Sequence, residues 1–170
     1  MSVSDLLADS TLGLVGVHLP HPTGDVRWVA TSELVDPTPF LEGGEVLLTT
    51  GLETRGWRTQ WRGYVERLHA ARVAALGLGT GLTHRQVPAG LVRACEQTGL
   101  NLFEVPRRTT FVAISRAASR LIDRGADAAA RRSLEIQRQL TQAALRPDAR
   151  ERLLDRLAEV LAGAAALVAR

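Results

Sequence analysis

Few residues in this chain have the types and spacing that chemistry needs. Most of them fall between Ser32 and Gly51, in SELVDPTPFLEGGEVLLTTG. Ser32, Glu33 and Asp36 cluster at the end of one apolar run, where a carboxylate can accept hydrogen bonds from a ligand's N–H groups. Thr49-Thr50-Gly51 closes the next run, Glu45 to Leu48. At the carboxyl end of a strand, two hydroxyls, free backbone N–H groups and the start of a following helix can hold an anion or a carbonyl. Each residue also has an architectural use. Ser32 and Asp36 can close a turn by bonding the backbone ahead of Pro37. Thr49-Thr50-Gly51 can be a hydrogen-bonded turn with Gly51 at positive φ. Glu33 is the hardest to explain by a turn alone.

Other chemistries find little support. Gly77-Leu78-Gly79-Thr80-Gly81 follows a strand-like run, but a dinucleotide fingerprint needs GxGxxG opening straight into a helix. Leu82 stands where the last glycine belongs, and the next helical pattern begins near Pro88. His18, His21, His69 and His84 form no metal-binding spacing, and neither HExxH nor GxSxG occurs. Cys95 is the only cysteine, so no intrachain disulfide forms, and its helical surroundings mark it as a small core residue. The expectation is a protein that is no enzyme and carries neither cofactor nor metal.

The basic residues number 21 and are all arginine, the mark of a GC-rich coding bias. A pI near 10.3 invites nucleic acid. The net charge is only +3 and aromatics are 4%, too few for a base-stacking platform. Arg116, Arg120, Arg124, Arg131, Arg132 and Arg138 punctuate a helical stretch, which reads as a solvated face. No run approaches the roughly 18 apolar residues of a membrane span. The start, MSVSDLLADS, does not read as a signal peptide, and the expected compartment is the cytoplasm.

The elements that must position these residues follow from periodicity. Val3 to Ala8 reads as a short helix capped by Ser2 or Ser4. Leu12 to Leu19 and Val26 to Thr31 read as strands of a hairpin with a long loop through Pro20–Asp25. From Glu45 the rhythm is strand, helix, strand, helix, strand. Val46–Thr49 leads into a helix over Glu53–Ala71 whose stripe is Trp57, Trp61, Tyr64, Val65 and Leu68. Val73–Gly79 is a strand covered on both faces. A helix follows with Pro88 in its first turn, Leu91, Val92 and Cys95 inside, and Gly99 at its end. Leu100–Val105 is the last strand. The fold class is α/β, a mainly parallel sheet flanked by helices, followed by a long C-terminal connecting helix with Phe111, Ile114, Ala118, Leu121, Gly125 and Ala128 at three-four spacing. The register slips at Leu134, Ile136 and Leu140. Arg146-Pro147-Asp148 breaks the helix, and Asp148 caps another with Leu153, Leu154, Leu157, Val160 and Leu161 inside. Gly163–Arg170 reads as the opening of a further strand, so the chain reads as part of a longer protein.

VRWVATSELVDPTPFLEGGEVLLTTGL resembles the N-terminal domain of the purine-catabolism-regulator (PucR) family of bacterial transcription factors. Trp28, Ser32, Glu33, Asp36, Pro37, Pro39, Phe40, Leu41, Gly43, Gly44, Glu45, Leu47, Leu48, Thr49, Thr50 and Gly51 fit its signature. Val3-Ser4-Asp5-Leu6-Leu7 resembles its opening helix, and Leu102-Phe103-Glu104-Val105-Pro106 with Thr110, Phe111 and Ile114 its end. The resemblance implies a regulatory α/β domain over residues 1–108, a linker and dimerisation helix over 109–146, and the start of a GAF-like middle domain over 147–170. It also implies a homodimer. The effector would be a purine catabolite, a nucleotide or an amino acid, and DNA contact would come only through a C-terminal helix-turn-helix not contained here. The ligand-binding residues expected are Ser32, Glu33, Asp36, Thr49, Thr50 and Gly51. The alternative is a purely structural homodimerisation module, built on the helix from Phe111 to Leu140, with no small ligand.

Overall fold

The computed structural model describes residues 1–144 and 149–160. The chain forms two compact units, Met1–Ile122 and Asp123–Arg170. In the first, α1 (Val3–Leu7) precedes β1 (Val15–His18), β2 (Trp28–Thr31) and β3 (Glu45–Thr49). Then come α2 (Gln60–Ala70), β4 (Ala75–Gly79), α3 (Ala89–Thr98), β5 (Asn101–Val105) and the start of α4 (Phe111–Ala144). Ser2 caps α1 through a reciprocal pair: its hydroxyl accepts from Asp5 N–H, and its own N–H donates to the Asp5 carboxylate.

The sheet runs β1-β5-β4-β3-β2. Strands β2 to β5 are parallel, and β1 joins β5 antiparallel. The mainly parallel α/β architecture is therefore as the sequence implies, but the hairpin is not formed, since β1 and β2 lie at opposite edges. The reason is the segment between them. The buried Asn101 side chain, at the start of β5, accepts from His21 N–H at 3.0 Å and donates to His21 O at 3.0 Å and Ala74 O at 2.8 Å. Val26 N–H then donates to Met1 O at 2.7 Å. This fastening carries the chain past the amino ends of the parallel strands to the far edge.

Side chains of the inner strands alternate between two apolar layers. Val46, Leu48, Ala75, Phe103 and Val105 meet Val3 and Leu6 of α1 and Ile114, Ala117 and Ala118 of α4. Leu47, Leu76, Leu78 and Leu102 meet Trp61, Tyr64, Val65 and Leu68 of α2 and Leu91, Ala94 and Cys95 of α3. Cys95 is buried, and burial, with Glu96 adding to it, pushes its thiol up to about 12. The glycines after Leu76 have packing reasons. A Cβ on Gly77 would stand 2.6 Å from both Leu48 Cδ2 and Phe103 Cζ, so the Phe103 ring fills the place of a side chain there. Because Ile114, Ala117 and Ala118 are core residues, the α/β unit extends past residue 108 into α4.

Helix boundaries shift where glycine turns the backbone. The expected helix from Glu53 starts only at Gln60, after a 3₁₀ turn at Leu52–Thr54, because Gly51 and Gly56 adopt φ of +68° and +81°. Pro88 stands just before α3 in extended conformation instead of in its first turn, and Gly99 closes that helix at φ +77°. Two residues past α2, Arg72 holds φ +58°, a position glycine usually takes. In the second unit, α4 continues to Ala144 and α5 spans Ala149–Val160. Glu135 pairs with Arg138 at 3.1 Å, and Arg156 pairs with Glu159. Leu153 and Leu154 are half-buried, whereas Leu157 is exposed. The expected break at Arg146–Asp148, the Asp148 cap, the inner placing of Val160 and Leu161 and the strand-like Gly163–Arg170 lie outside the described residues. Among the described residues, no helix is long and apolar enough to cross a membrane.

Candidate functional site

The carboxyl ends of β2, β3 and β4 bring the sequence-expected residues to one rim of the sheet. Its centre is Glu33, just past β2. Glu33 Oε1 accepts from Thr50 N–H at 2.7 Å. Glu33 Oε2 accepts from the Thr49 hydroxyl at 2.9 Å and from Leu52 N–H at 3.0 Å. The donors at the end of β3 thus form an anion cradle, and the protein's own carboxylate occupies it. Burial alone would push the Glu33 carboxyl up. The Thr50 and Leu52 N–H groups, with the Thr50 and Thr49 side chains, outweigh it and hold the group below its ordinary value.

The other expected residues sort around this centre. Gly51 N–H donates to the Thr49 hydroxyl at 3.0 Å, and Gly51 holds φ +68°. The Ser32 hydroxyl accepts from Leu34 N–H at 3.2 Å, closing a turn. Asp36 Oδ1 accepts from the Thr38 hydroxyl at 2.6 Å and Thr38 N–H at 3.2 Å. Those bonds, with Arg67 nearby, hold the Asp36 carboxyl below its usual range. Arg67, in the last turn of α2, donates to Val35 O at 3.0 Å and places Nε 3.5 Å from Asp36. An open depression of about 480 Å³ lies on this rim, lined by Glu33, Leu34, Val35, Asp36 and Glu53. Glu33 and Asp36 face it, while Thr49, Thr50 and Gly51 stand behind, bonded to Glu33 or to each other.

Three participants were not legible locally, nor was a second turn-closing carboxylate at the opposite, amino end of β3. Glu45, buried at the start of β3, accepts from Glu42 N–H at 2.7 Å and Gly43 N–H at 2.9 Å. The Gly43-Gly44 turn, at φ +92° and +85°, is therefore closed by a carboxylate as well. Thr54 donates its hydroxyl proton to Gly51 O at 2.7 Å and lies 2.8 Å from His84 Nε2. With its single proton committed, the hydroxyl accepts from His84, which fixes the Nε2–H tautomer. Burial, against a backbone bond with Gly51 and helped by Arg55, keeps the His84 imidazole below its ordinary value. Tyr64, packed edge-on against Trp57 and Trp61, is held protonated chiefly by burial and then by Glu33. The Glu33-to-Thr49 spacing is visible in sequence; His84 arrives from the β4 exit, and only strand adjacency reveals it.

Strands β2 to β5 follow one another in spatial order, so the sheet lacks the reversal that opens a ligand crevice in doubly wound folds. Among the described residues no group of three or more His, Cys, Asp or Glu side chains could hold a metal ion. What fold and rim define is a mainly parallel α/β domain with a carboxylate-closed strand end and a long trailing helix. Residues 18–122 match the purine catabolism regulatory protein-like family, PucR, and the chain belongs to that family. It is thus a domain of transcription-regulator type. No curated protein matches the chain.

Proposed function

We propose that this chain is the effector-sensing and dimerising regulatory domain of a PucR-type transcriptional regulator, cytoplasmic and without catalytic activity. The observation that carries the sensing half is Glu33: one carboxylate both closes the β3 exit through three donors and lines the open depression beside it. A small metabolite bound there, of the purine-catabolite, nucleotide or amino-acid classes, contacts Glu33 and Asp36 directly and Thr50 through the cradle. Binding one arrangement of the rim more tightly shifts the population toward it. Helix α4 starts in the core of the same unit at Ile114, Ala117 and Ala118, so it is the element that carries the shift onward. DNA contact belongs to a helix-turn-helix outside this chain.

The test is a thermal-shift screen of those three metabolite classes against wild type and Glu33→Gln. A ligand at 100 times its Kd stabilises by about 2.7 kcal/mol. The sensing role fails if no class raises the melting temperature, and the rim assignment fails if Glu33→Gln leaves a shift intact. One observation favours the second reading, a structural homodimerisation module with no small ligand. The strand-end donors already have a full partner in Glu33, so a ligand must compete with it or bind outside it.

A further inference from the structure

A groove of about 520 Å³ runs between the end of the edge strand β2 and the start of α4. It is lined by Thr31, Phe111, Val112, Ser115, Arg116 and Ser119 with Arg120 beside them. Val112 is 59% exposed, an aliphatic side chain with nothing on it. From the geometry of α4 we infer that the occupant is α4 of a second copy, packed antiparallel about a two-fold axis near residues 120 and 121. This rests on the dimerising half of the proposed function and adds its seam, direction and register.

Val112, Ser115, Ser119, Ile122, Ala126 and Ala129 alternate three and four residues apart on α4 and carry no charge. That is the spacing of a two-helix seam. Ile114, Ala117 and Ala118 are already committed to the domain's own core, so the seam is a separate face. Antiparallel pairing sets Val112 opposite Ala129 of the second copy, Ser115 opposite its Ala126, and Ser119 opposite its Ile122. Each layer therefore contains at least one small residue, which permits close approach.

Charge selects the direction. Arg116 and Asp123 each follow a seam residue by one position, so they flank the seam on the same side. Both are exposed, and neither makes an ion pair among the described residues. In antiparallel packing, flanking positions of this kind face each other, so Arg116 meets Asp123 of the second copy and the two-fold repeats the pair. In parallel packing Arg116 would face Phe111 and Asp123 would face Ala118. Neither Phe111 nor Ala118 is charged, so parallel packing leaves both charges without a partner. The interface is self-complementary, as a two-fold dimer requires.

The experiment uses the full chain in a Cys95→Ser background, sedimentation velocity for mass, and cysteine crosslinking for register. Ser115→Cys and Ala126→Cys chains, mixed and oxidised, should give a mixed disulfide dimer, while neither crosslinks alone. Arg116→Asp or Asp123→Arg should each weaken the dimer on the order of tenfold, and the double exchange should restore it to within about threefold. A dimer in which Ser115→Cys crosslinks to itself, or in which the charge exchange restores nothing, overturns the antiparallel seam and leaves dimerisation standing. A monomer at every concentration overturns both.

Discussion

Replacing Glu33 by glutamine should reveal how much the strand-end cradle contributes. The carboxylate receives three hydrogen bonds, at 2.7, 2.9 and 3.0 Å, shared between its two oxygens. Glutamine keeps one oxygen. Its amide nitrogen must then face either Thr50 N–H or the donors from Thr49 and Leu52, so at least one bond becomes a donor–donor contact. Hydrogen bonds to charged groups are worth about 1.5–3 kcal/mol each. Glu33 is only half-buried, so water screens and replaces part of that, and the expected net cost is about 1–2 kcal/mol. For a unit of this size that is a fall of roughly 3–8 °C in melting temperature at pH 7. The sign of the pH dependence follows from the lowered carboxyl. Its contribution is complete above the ordinary value of 4.5 and drains away as pH falls through the lower folded value. Thermal unfolding of wild type and Glu33→Gln between pH 3 and 7 should therefore converge on acidification. A difference below 1 °C at pH 7, or one that stays constant down to pH 3, refutes the reasoning.

Three further outcomes follow from the fold. Gly77→Ala should cost roughly 1–3 kcal/mol by overpacking against Leu48 and Phe103, and Phe103→Leu should recover part of it in the double variant, read by urea denaturation. Arg72→Gly should stabilise by about 0.5–1 kcal/mol, since it relieves the left-handed backbone at φ +58°, again read as a shift in denaturation midpoint. His84 is held below its ordinary value of 6.5, so the unfolded chain takes up its proton first and stability should fall as pH drops below about 6.5; His84→Gln should flatten that limb of the pH profile.

The sheet and its helices were legible because Leu47, Leu48, Leu76, Leu78, Leu102 and Phe103 sit in short apolar runs separated by helical stripes, and burial on both faces demands that pattern. The position of β1 was not. Its short run pairs with β5, far along the chain, and one buried side chain, Asn101, decides the route between β1 and β2. An isolated polar residue at a strand start carries no periodic signal. At the rim, the grouping of Ser32, Glu33, Asp36, Thr49, Thr50 and Gly51 could be read from the signature, but their bonding could not. Which carboxylate oxygen meets which N–H depends on the β2–β3 register, with Thr31 beside Leu48. Thr54 and His84 join the same loop from 30 residues apart, through neighbouring strand exits.

The most direct test of effector sensing at this rim is a titration of the isotope-labelled chain, followed at the backbone amides of Thr50 and Leu52. A metabolite that stabilises the domain should shift both resonances saturably, with the Kd of its thermal effect, and lose that response in Glu33→Gln. Saturable shifts confined to residues away from Glu33, Thr50 and Leu52, or an undiminished response in the variant, would contradict the account.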